Sequence, residues 1–280
     1  MMRLASDEKT IERLKQAERA WHDSEYDTHA KYAFPDRVED FEDRFVKGQL
    51  TCFCDGGWSW WGDARHEALE VVGDVSGLRV LDYGCGFGGL GLYLSRRGAQ
   101  VWGFDLSLPA IETASKAAQQ YGLPTKFAQM DAAELTYPDE FFDFVIGFGV
   151  LHHVIKYPQA DSQLFRIMKP AARAVFHETL WDNPLINFAR RFTSEHRDAG
   201  DAHLTEREIR RFCQKFRSVQ LEKRHLLYML KRLAKLPQSE WDAQLAPRHF
   251  WRAVSALDQQ ILRFPPLRRY CGEVIVYLQK

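Results

Sequence analysis

The sequence predicts an α/β protein with a mostly parallel sheet and helices on both of its faces. Three observations support this fold class. From residue 79 onward, short apolar runs alternate with stretches of helical periodicity, which is the pattern of strand-helix-strand units. A glycine-rich turn, Gly84–Gly89, follows the first apolar run. The chain has 280 residues, 45% of them hydrophobic, and can therefore bury a sizeable core within one large domain.

The first part of the chain, residues 1–74, is predicted to form a helical cap over this core. Charged and aromatic residues are interleaved there, and Ser6 can cap the first helix. A glycine-bounded aromatic cluster follows at 56–63. Some of these aromatic rings could either pack beneath the cap or form a wall around a cationic or flat ligand. They are Trp21, Tyr26, Trp58, Trp60 and Trp61.

Seven strands and four helices are predicted in the rest of the chain. The strands are 79–83, 100–105, 125–130, 142–148, 172–179, 218–227 and 273–279. Three helices are predicted at Leu90 to Arg97, Leu108 to Gln120 and Ser162 to Met168. The fourth begins at Thr205-Glu206-Arg207-Glu208, which has the pattern of a capping box.

The strongest functional signal lies in residues 80–89, together with Asp105 at the end of the next strand. This pattern indicates a strand, a turn where a ligand can touch the backbone, and a carboxylate that can bind a ribose. The glycines also match the dinucleotide pattern G-x-G-x-x-G, so a nicotinamide or flavin cofactor has to be considered. Asp82 argues against it, because a carboxylate two positions before the first glycine would repel a pyrophosphate.

At these residues the chain resembles the class I S-adenosylmethionine-dependent methyltransferases, whose first motif is hydrophobic-Leu-Asp-x-Gly-x-Gly-x-Gly. The negative charge of Asp82 suits the ammonium and sulfonium of that cofactor. The resemblance covers about 75–227 and 271–280, and it implies a Rossmann-like sheet whose last strand is antiparallel. The core would then be 75–280. Two helical insertions, at about 181–204 and 228–270, would roof an acceptor pocket.

The resemblance further implies that S-adenosylmethionine is the cofactor and that the ends of the first four strands hold it. Gly84 and Gly86 would admit its methionine portion, and Asp105 would accept hydrogen bonds from both ribose hydroxyls. Asp131 would bind the adenine amino group beside the Ala132 amide, although Asp131 could instead cap a helix. The predicted cofactor-binding residues are Asp82, Gly84, Gly86, Asp105, Leu106, Asp131, Ala132 and Phe148.

The segment Phe148–Val154 follows the fourth strand and is similar to the corresponding segment of small-molecule and quinone-type methyltransferases. His153 or His152 could take a proton from an acceptor near neutral pH, although one of two adjacent histidines generally packs or caps a turn. Glu178, near the end of the fifth strand, could be a general base, orient the acceptor, or pair with Arg190-Arg191. The predicted catalytic residues are therefore His153, His152 and Glu178.

Charge and cysteine content argue against several other classes. Lysine plus arginine equals aspartate plus glutamate at 38 each, so no global field draws the chain to nucleic acid or anionic membrane. The five cysteines favour reduced thiols, and Cys52-x-Cys54 lacks a second pair at zinc spacing, so no metal is expected. The sequence shows neither a signal peptide nor an apolar run near the ~20 residues of a membrane span. We therefore expect a cytoplasmic protein.

The sequence thus predicts an enzyme that transfers a methyl group from S-adenosylmethionine to a small molecule by in-line displacement. The expected acceptor is a specialised metabolite or lipid-like compound, methylated on oxygen, nitrogen or carbon. We expect no nucleic-acid partner and no membrane span, and a homodimer stays open. Three alternatives remain: a nicotinamide-dependent oxidoreductase, a macromolecule methyltransferase, and a catalytically silent protein that binds S-adenosylmethionine.

Overall fold

The computed structural model of the chain describes residues 8–29, 34–40, 72–180, 204–227 and 248–280. The strands within these ranges are β1 Arg79–Tyr83, β2 Gln100–Asp105, β3 Lys126–Gln129, β4 Phe142–Phe148, β5 Met168–Thr179, β6 Ser218–Arg224 and β7 Glu273–Gln279. The helices are α1 Glu8–His29, α2 Gly89–Arg96, α3 Leu108–Gln120, α4 Leu151–Val154, α5 Ala160–Ile167, α6 Glu206–Phe212 and α7 Arg248–Ile261, and a 3-10 helix covers Pro265–Tyr270.

The strands form one sheet in the order β3-β2-β1-β4-β5-β7-β6. β7 is antiparallel to both β5 and β6, and the remaining neighbours are parallel. The predicted fold class, a Rossmann-like α/β fold with a mostly parallel sheet, is confirmed. The strand order reverses between β1 and β4, so the connections after these two strands diverge. Such a switch point at the carboxyl edge is where open α/β sheets bind their ligands.

Most element bounds agree with the sequence prediction, and β5 shows the largest difference at its start. It begins at Met168 instead of residue 172, because Met168 already pairs with Phe142 of β4 before a register shift. Ala171 lies at this irregularity with a φ of 63°. The capping box is confirmed, since Thr205 Oγ1 accepts the Glu208 amide and the Glu208 carboxylate accepts the Thr205 amide.

The core consists of apolar side chains on both faces of the sheet. Val80 and Leu81 of β1 belong to opposite faces, as the two-residue period of a strand requires. Val145 and Ile146 of β4 divide in the same way. Helices α2 and α3 cover one face, and α5 and α6 cover the other. This two-sided packing fixes the positions of β1 and β4, whose carboxyl ends flank the switch point.

Some predicted features lie outside the described residues. They are Ser6, the aromatic cluster 56–63, Cys52-x-Cys54, Arg190-Arg191 and most of the insertion 181–204. The insertion 228–270 is described from residue 248 onward, as α7 and the 3-10 helix. Among the described helices, none combines the length and apolar character needed to cross a bilayer. The division into a cap, 1–74, and a core, 75–280, stays a prediction.

Candidate active site

A cavity opens at the carboxyl edge of the sheet, where β1, β2 and β4 end. It encloses about 680 Å³ of non-protein space, part of it open to solvent. Predicted site residues from four separate parts of the chain meet around it, which is what a ligand site at the switch point requires. Those that line the cavity are Gly84, Gly86, Asp105, Leu106, Asp131, Ala132, Phe148 and His153.

The glycine turn after β1 brings bare backbone against this cavity. Gly84 has a φ of 66°, and a Cβ there would lie 2.3 Å from a methyl carbon of Val150. Gly86 has a φ of 50°, and a Cβ there would lie 2.9 Å from the Tyr26 hydroxyl. Both positions therefore require glycine. The turn is held between the segment that follows β4 and helix α1.

The Asp105 carboxylate stands at the end of β2 and connects two turns. Its Oδ2 accepts the Gly86 amide at 2.9 Å, and its Oδ1 accepts the Ser107 amide at 3.0 Å. Burial holds the pKa of Asp105 above its ordinary value, although these two backbone hydrogen bonds act in the opposite direction. Each carboxylate oxygen has a second acceptor direction, so Asp105 can also accept from ligand hydroxyls. This geometry suits the ribose-binding role predicted for Asp105.

Asp131, just beyond β3, borders the same cavity. Its Oδ1 accepts the Ala133 amide at 2.8 Å, and its Oδ2 forms an ion pair with Lys15 of α1. The first contact stabilises the turn, as the alternative interpretation of Asp131 requires. The carboxylate nevertheless remains part of the cavity wall. Binding of an adenine amino group by Asp131 stays a prediction.

Asp82 differs from the other predicted cofactor residues, because it does not belong to the described lining of the cavity. Its side chain is buried, and Oδ2 accepts the Gly91 amide at 2.8 Å. Gly91 lies in the first turn of α2, whose positive end favours a carboxylate. The structure thus shows Asp82 stabilising the start of α2. Its predicted contact with a cofactor ammonium stays a prediction.

Glu178 and His152 organise the segment after β4. Glu178 is fully buried, and its Oε1 accepts the amides of Val150 at 2.8 Å and Leu151 at 2.6 Å. Its Oε2 lies 2.8 Å from His152 Nδ1. Neither Glu178 nor His152 is among the described residues that line the cavity. This geometry supports a positioning role, and the catalytic role predicted for them stays a prediction.

Helix α1 supplies one wall of the cavity. Of the two aromatic residues on this helix that were predicted as wall candidates, Tyr26 lines the cavity and Trp21 is not among its described lining residues. Lining side chains recur every three or four residues along one face of this helix, as helical geometry requires. They are Lys15, Glu18, His22 and Tyr26. Three of the four are polar and buried, which is unusual for a helix that merely packs on a core. That polar stripe was the available sequence signal.

Glu18 is the centre of a hydrogen-bonded cluster between α1 and the segment after β4. Its Oε1 lies 2.7 Å from His153 Nδ1. Its Oε2 accepts the Tyr157 hydroxyl and lies 3.2 Å from Lys156 Nζ. Burial alone would raise the pKa of Glu18, but these three partners together lower it to about 2. Glu18 is therefore an anion at neutral pH.

His22 stands beside this cluster, its ring edge-on to that of His153 with 4.7 Å between centroids. Burial lowers the pKa of His22 to about 3, and the nearby His153 acts in the same direction. His22 is therefore neutral near pH 7. It adds an uncharged, partly polar surface to the cavity.

Glu18, His22 and His153 could also share a divalent cation, since their donor atoms all lie within 4.8 Å of one another. Two imidazoles and a carboxylate suit zinc or ferrous iron. However, the Lys156 ammonium lies 3.2 Å from the single carboxylate of this set and already compensates its charge. The absence of a metal stays a prediction.

The comparisons with known proteins agree with the fold and the glycine turn. Residues 81–176 match a family described as "Methyltransferase domain". Demethylmenaquinone methyltransferase of Thermus thermophilus is 35% identical over 117 residues, which are 41% of this chain and 53% of that protein. Residues 81–176 are therefore similar to a methyltransferase domain.

Another relative of the chain is sterol 24-C-methyltransferase ERG6A of Gibberella zeae, 30% identical over 189 residues. The match covers 65% of this chain and 49% of that protein, so the chain spans about half the length of the curated relatives. Among solved structures, phosphoethanolamine N-methyltransferase 2 of Haemonchus contortus, in complex with S-adenosyl-L-methionine, superposes with a TM-score of 0.59 at 18% identity. That superposition covers 91% of this chain and 59% of the other, and it shows a shared fold.

The region that matches the methyltransferase family contains only part of the site. The glycine turn, Asp105, Asp131 and His153 lie within residues 81–176. Helix α1, with Glu18, precedes that region. The chain therefore completes its cavity with side chains from outside the segment that matches the family.

Proposed function

We propose that the chain binds S-adenosylmethionine in the cavity at the switch point and transfers its methyl group to a small-molecule acceptor. One observation carries this proposal: the glycine-turn backbone, the Asp105 carboxylate and the Asp131-Ala132 edge surround one cavity. The relatives support a small acceptor, since their names refer to a quinone, a sterol and phosphoethanolamine.

The chain's own residues fit the proposed cofactor. Gly84 and Gly86 line the cavity without side chains, so the methionine portion can lie against their backbone. Asp105 has acceptor capacity for the ribose hydroxyls, and Asp131 can accept from the adenine amino group. The bound cofactor supplies a methyl group on a sulfonium, which is an activated donor.

The protein then contributes position and exclusion of water. Helix α1 lies across the glycine turn, with Tyr26 near Gly86. Excluding water strengthens electrostatic interactions within the cavity and prevents hydrolysis, and alignment of two bound reactants supplies much of the rate enhancement. The apolar part of the lining suits an acceptor with an apolar portion. This part comprises Phe104, Leu106, Met130, Phe148, Val150 and Val154.

Calorimetric titration tests the cofactor part of the proposal. The protein should bind S-adenosylhomocysteine and not NADH. Asp105→Ala should weaken the S-adenosylhomocysteine affinity by roughly 1.5–3 kcal/mol, because hydrogen bonds to a charged acceptor are lost. Asp139→Ala removes an exposed carboxylate that pairs with Arg166 and should leave the affinity unchanged. Binding of NADH, or full affinity in Asp105→Ala, would contradict the proposal.

Formation of S-adenosylhomocysteine from S-adenosylmethionine tests the transfer itself. The probes are catechol, 1-naphthol and 1-decanol as hydroxyl acceptors, with phosphoethanolamine and benzylamine as amines. Product formation that depends on one of these probes supports methyl transfer. Binding of the cofactor without transfer to any probe would favour the catalytically silent alternative.

A further inference from the structure

We propose that Glu18 and His153 form an acid–base pair, in which Glu18 positions His153 to take the proton of a hydroxyl acceptor. This assignment rests on the proposed methyl transfer. It adds Glu18 as a positioning residue from outside the family-matched region, and it names hydroxyl compounds as the acceptor class.

The contacts of Glu18 fix which of its oxygens faces His153. Its Oε2 holds the Tyr157 hydroxyl and the Lys156 ammonium, which leaves Oε1 facing His153 Nδ1 at 2.7 Å. An ionised carboxylate can only accept hydrogen bonds. The proton between the two side chains therefore belongs to Nδ1, and neutral His153 has its lone pair on Nε2.

His153 and Glu18 both belong to the lining of the cavity, with side chains that are 11% and 4% exposed. The Nε2 atom of His153 is itself buried, so an acceptor has to approach within the lining to reach it. A buried carboxylate that fixes the tautomer and stabilises the imidazolium is a known way to prepare a histidine base. The titratable groups that face His153 are Glu18 and His22 on α1, His152, Lys156 and Tyr157 on and after α4, and Asp105 on β2. Because His22 is neutral near pH 7, it adds no positive charge next to His153.

The charges of the cavity lining favour a hydroxyl acceptor over an amine acceptor. An amine acceptor is an ammonium cation near neutral pH and needs an uncompensated carboxylate. Of the three described carboxylates in the lining, Glu18 and Asp131 are paired with Lys156 and Lys15, and Asp105 is the proposed ribose-binding residue. A hydroxyl acceptor enters uncharged and therefore needs no such carboxylate.

The proposed step balances without any further reactant. The O–H bond breaks, its proton goes to Nε2 of His153, and its electron pair stays on oxygen. That oxygen bonds to the methyl carbon, and the electron pair of the broken S–CH3 bond stays on sulfur. The products are the methyl ether, S-adenosylhomocysteine and the His153 imidazolium, which is paired with Glu18. The imidazolium then releases its proton to solvent.

The tautomer is measured directly, without an acceptor. In ¹⁵N-histidine-labelled protein with S-adenosylhomocysteine at pH 8.5, the His153 signals should show a protonated Nδ1 and an unprotonated Nε2. His153→Gln identifies these signals by their loss. A protonated Nε2 in the unaltered protein would overturn the proposal.

Kinetics test the catalytic part with the probes named above. Transfer is expected to the hydroxyl probes and not to the amines. Glu18→Gln should lower kcat by about 10²-fold, the lower bound for general-base catalysis, with S-adenosylhomocysteine affinity within twofold. Glu12→Gln, an exposed change on the same helix, is the control and should leave both unchanged.

Four results would overturn the pair. They are an unaltered kcat in Glu18→Gln, transfer to the amines, loss of activity with EDTA that zinc restores, and no transfer to any hydroxyl probe. S-adenosylhomocysteine binding is measured separately in each case. Failure of the cofactor site is therefore distinguished from failure of the pair.

Discussion

At the residue scale, Glu178 shows how one buried carboxylate can hold a loop in place. It accepts two backbone amides and faces His152 Nδ1, and these contacts fix the turn between β4 and α4. That turn contains Val150, whose side chain lies against Gly84. The shape of the cavity thus depends on a residue that does not line it.

Glu178→Gln should therefore lower the stability of the fold, and any loss of methyl transfer should follow from that. The two backbone amides lose their anionic acceptor, and the amide nitrogen can face His152 Nδ1 only as a donor, so the ring must change its tautomer or lose the contact. We expect a loss of about 2–4 kcal/mol in the free energy of unfolding, measured with urea. Glu134→Gln, at an exposed position, should change it by less than about 0.5 kcal/mol. Normal stability combined with lost methyl transfer would instead support the catalytic role predicted from the sequence.

At the element scale, α1 and the sheet differ in how far the sequence predicts them. β1, β2 and β4 were predicted at their observed bounds, because each is a short apolar run that ends at a glycine, an aspartate or a turn. The contact between Glu18 and His153 spans 135 positions of the chain. Periodicity within α1 indicates a helix and a polar face, but it contains no information about which strand end that face meets.

The distance along the chain between two partners also decides which contacts of the site the sequence could predict. Asp105 and Gly86 could be paired from the sequence, since adjacent parallel strands end at one edge. Asp82 could be placed at the end of β1 but not in contact with α2, because the rotation of that helix depends on its packing. The partners of Glu178 likewise depend on the turn after β4, which the sequence does not specify.

Cofactor binding should make the backbone amides of α1 more protected from hydrogen exchange. Its side chains line the cavity on one face, and Ser107 Oγ donates to Asp23 Oδ1 of α1 at 2.5 Å. A ligand that fills the cavity adds contacts to this face, so local opening of α1 costs more free energy. Hydrogen exchange of residues 8–29 should slow on addition of S-adenosylhomocysteine. Helix α6 is remote from the lining and is the internal control; equal slowing in both helices, or none in α1, would contradict the prediction.

At the scale of the whole molecule, the C-terminal strand joins two parts of the sheet. β7 lies between β5 and β6 and is antiparallel to both, so β6 is attached to the rest of the sheet through it. A buried ionic cluster crosses these strands. Glu273 Oε2 of β7 lies 2.7 Å from His225 Nδ1, just after β6, and 3.3 Å from His177 Nε2 of β5.

This cluster predicts a stability that falls on acidification. Burial opposes ionisation of Glu273, but His225 and His177 outweigh it and hold the pKa of Glu273 below its ordinary value. A carboxylate whose pKa is lower in the folded state than in the unfolded state stabilises the fold at pH values above the unfolded pKa, about 4.3. This contribution is lost as the pH falls toward the pKa of the folded state.

Glu273→Gln should therefore be less stable at pH 7 by about 2–4 kcal/mol and should lose less stability than the unaltered protein between pH 5 and pH 3. Urea unfolding at these pH values measures both differences, with Glu222→Gln on β6, half-exposed, as the matched control. If Glu273→Gln and the unaltered protein lose stability in parallel on acidification, the three strands are held together by their apolar packing, and the ionic cluster contributes nothing to that junction.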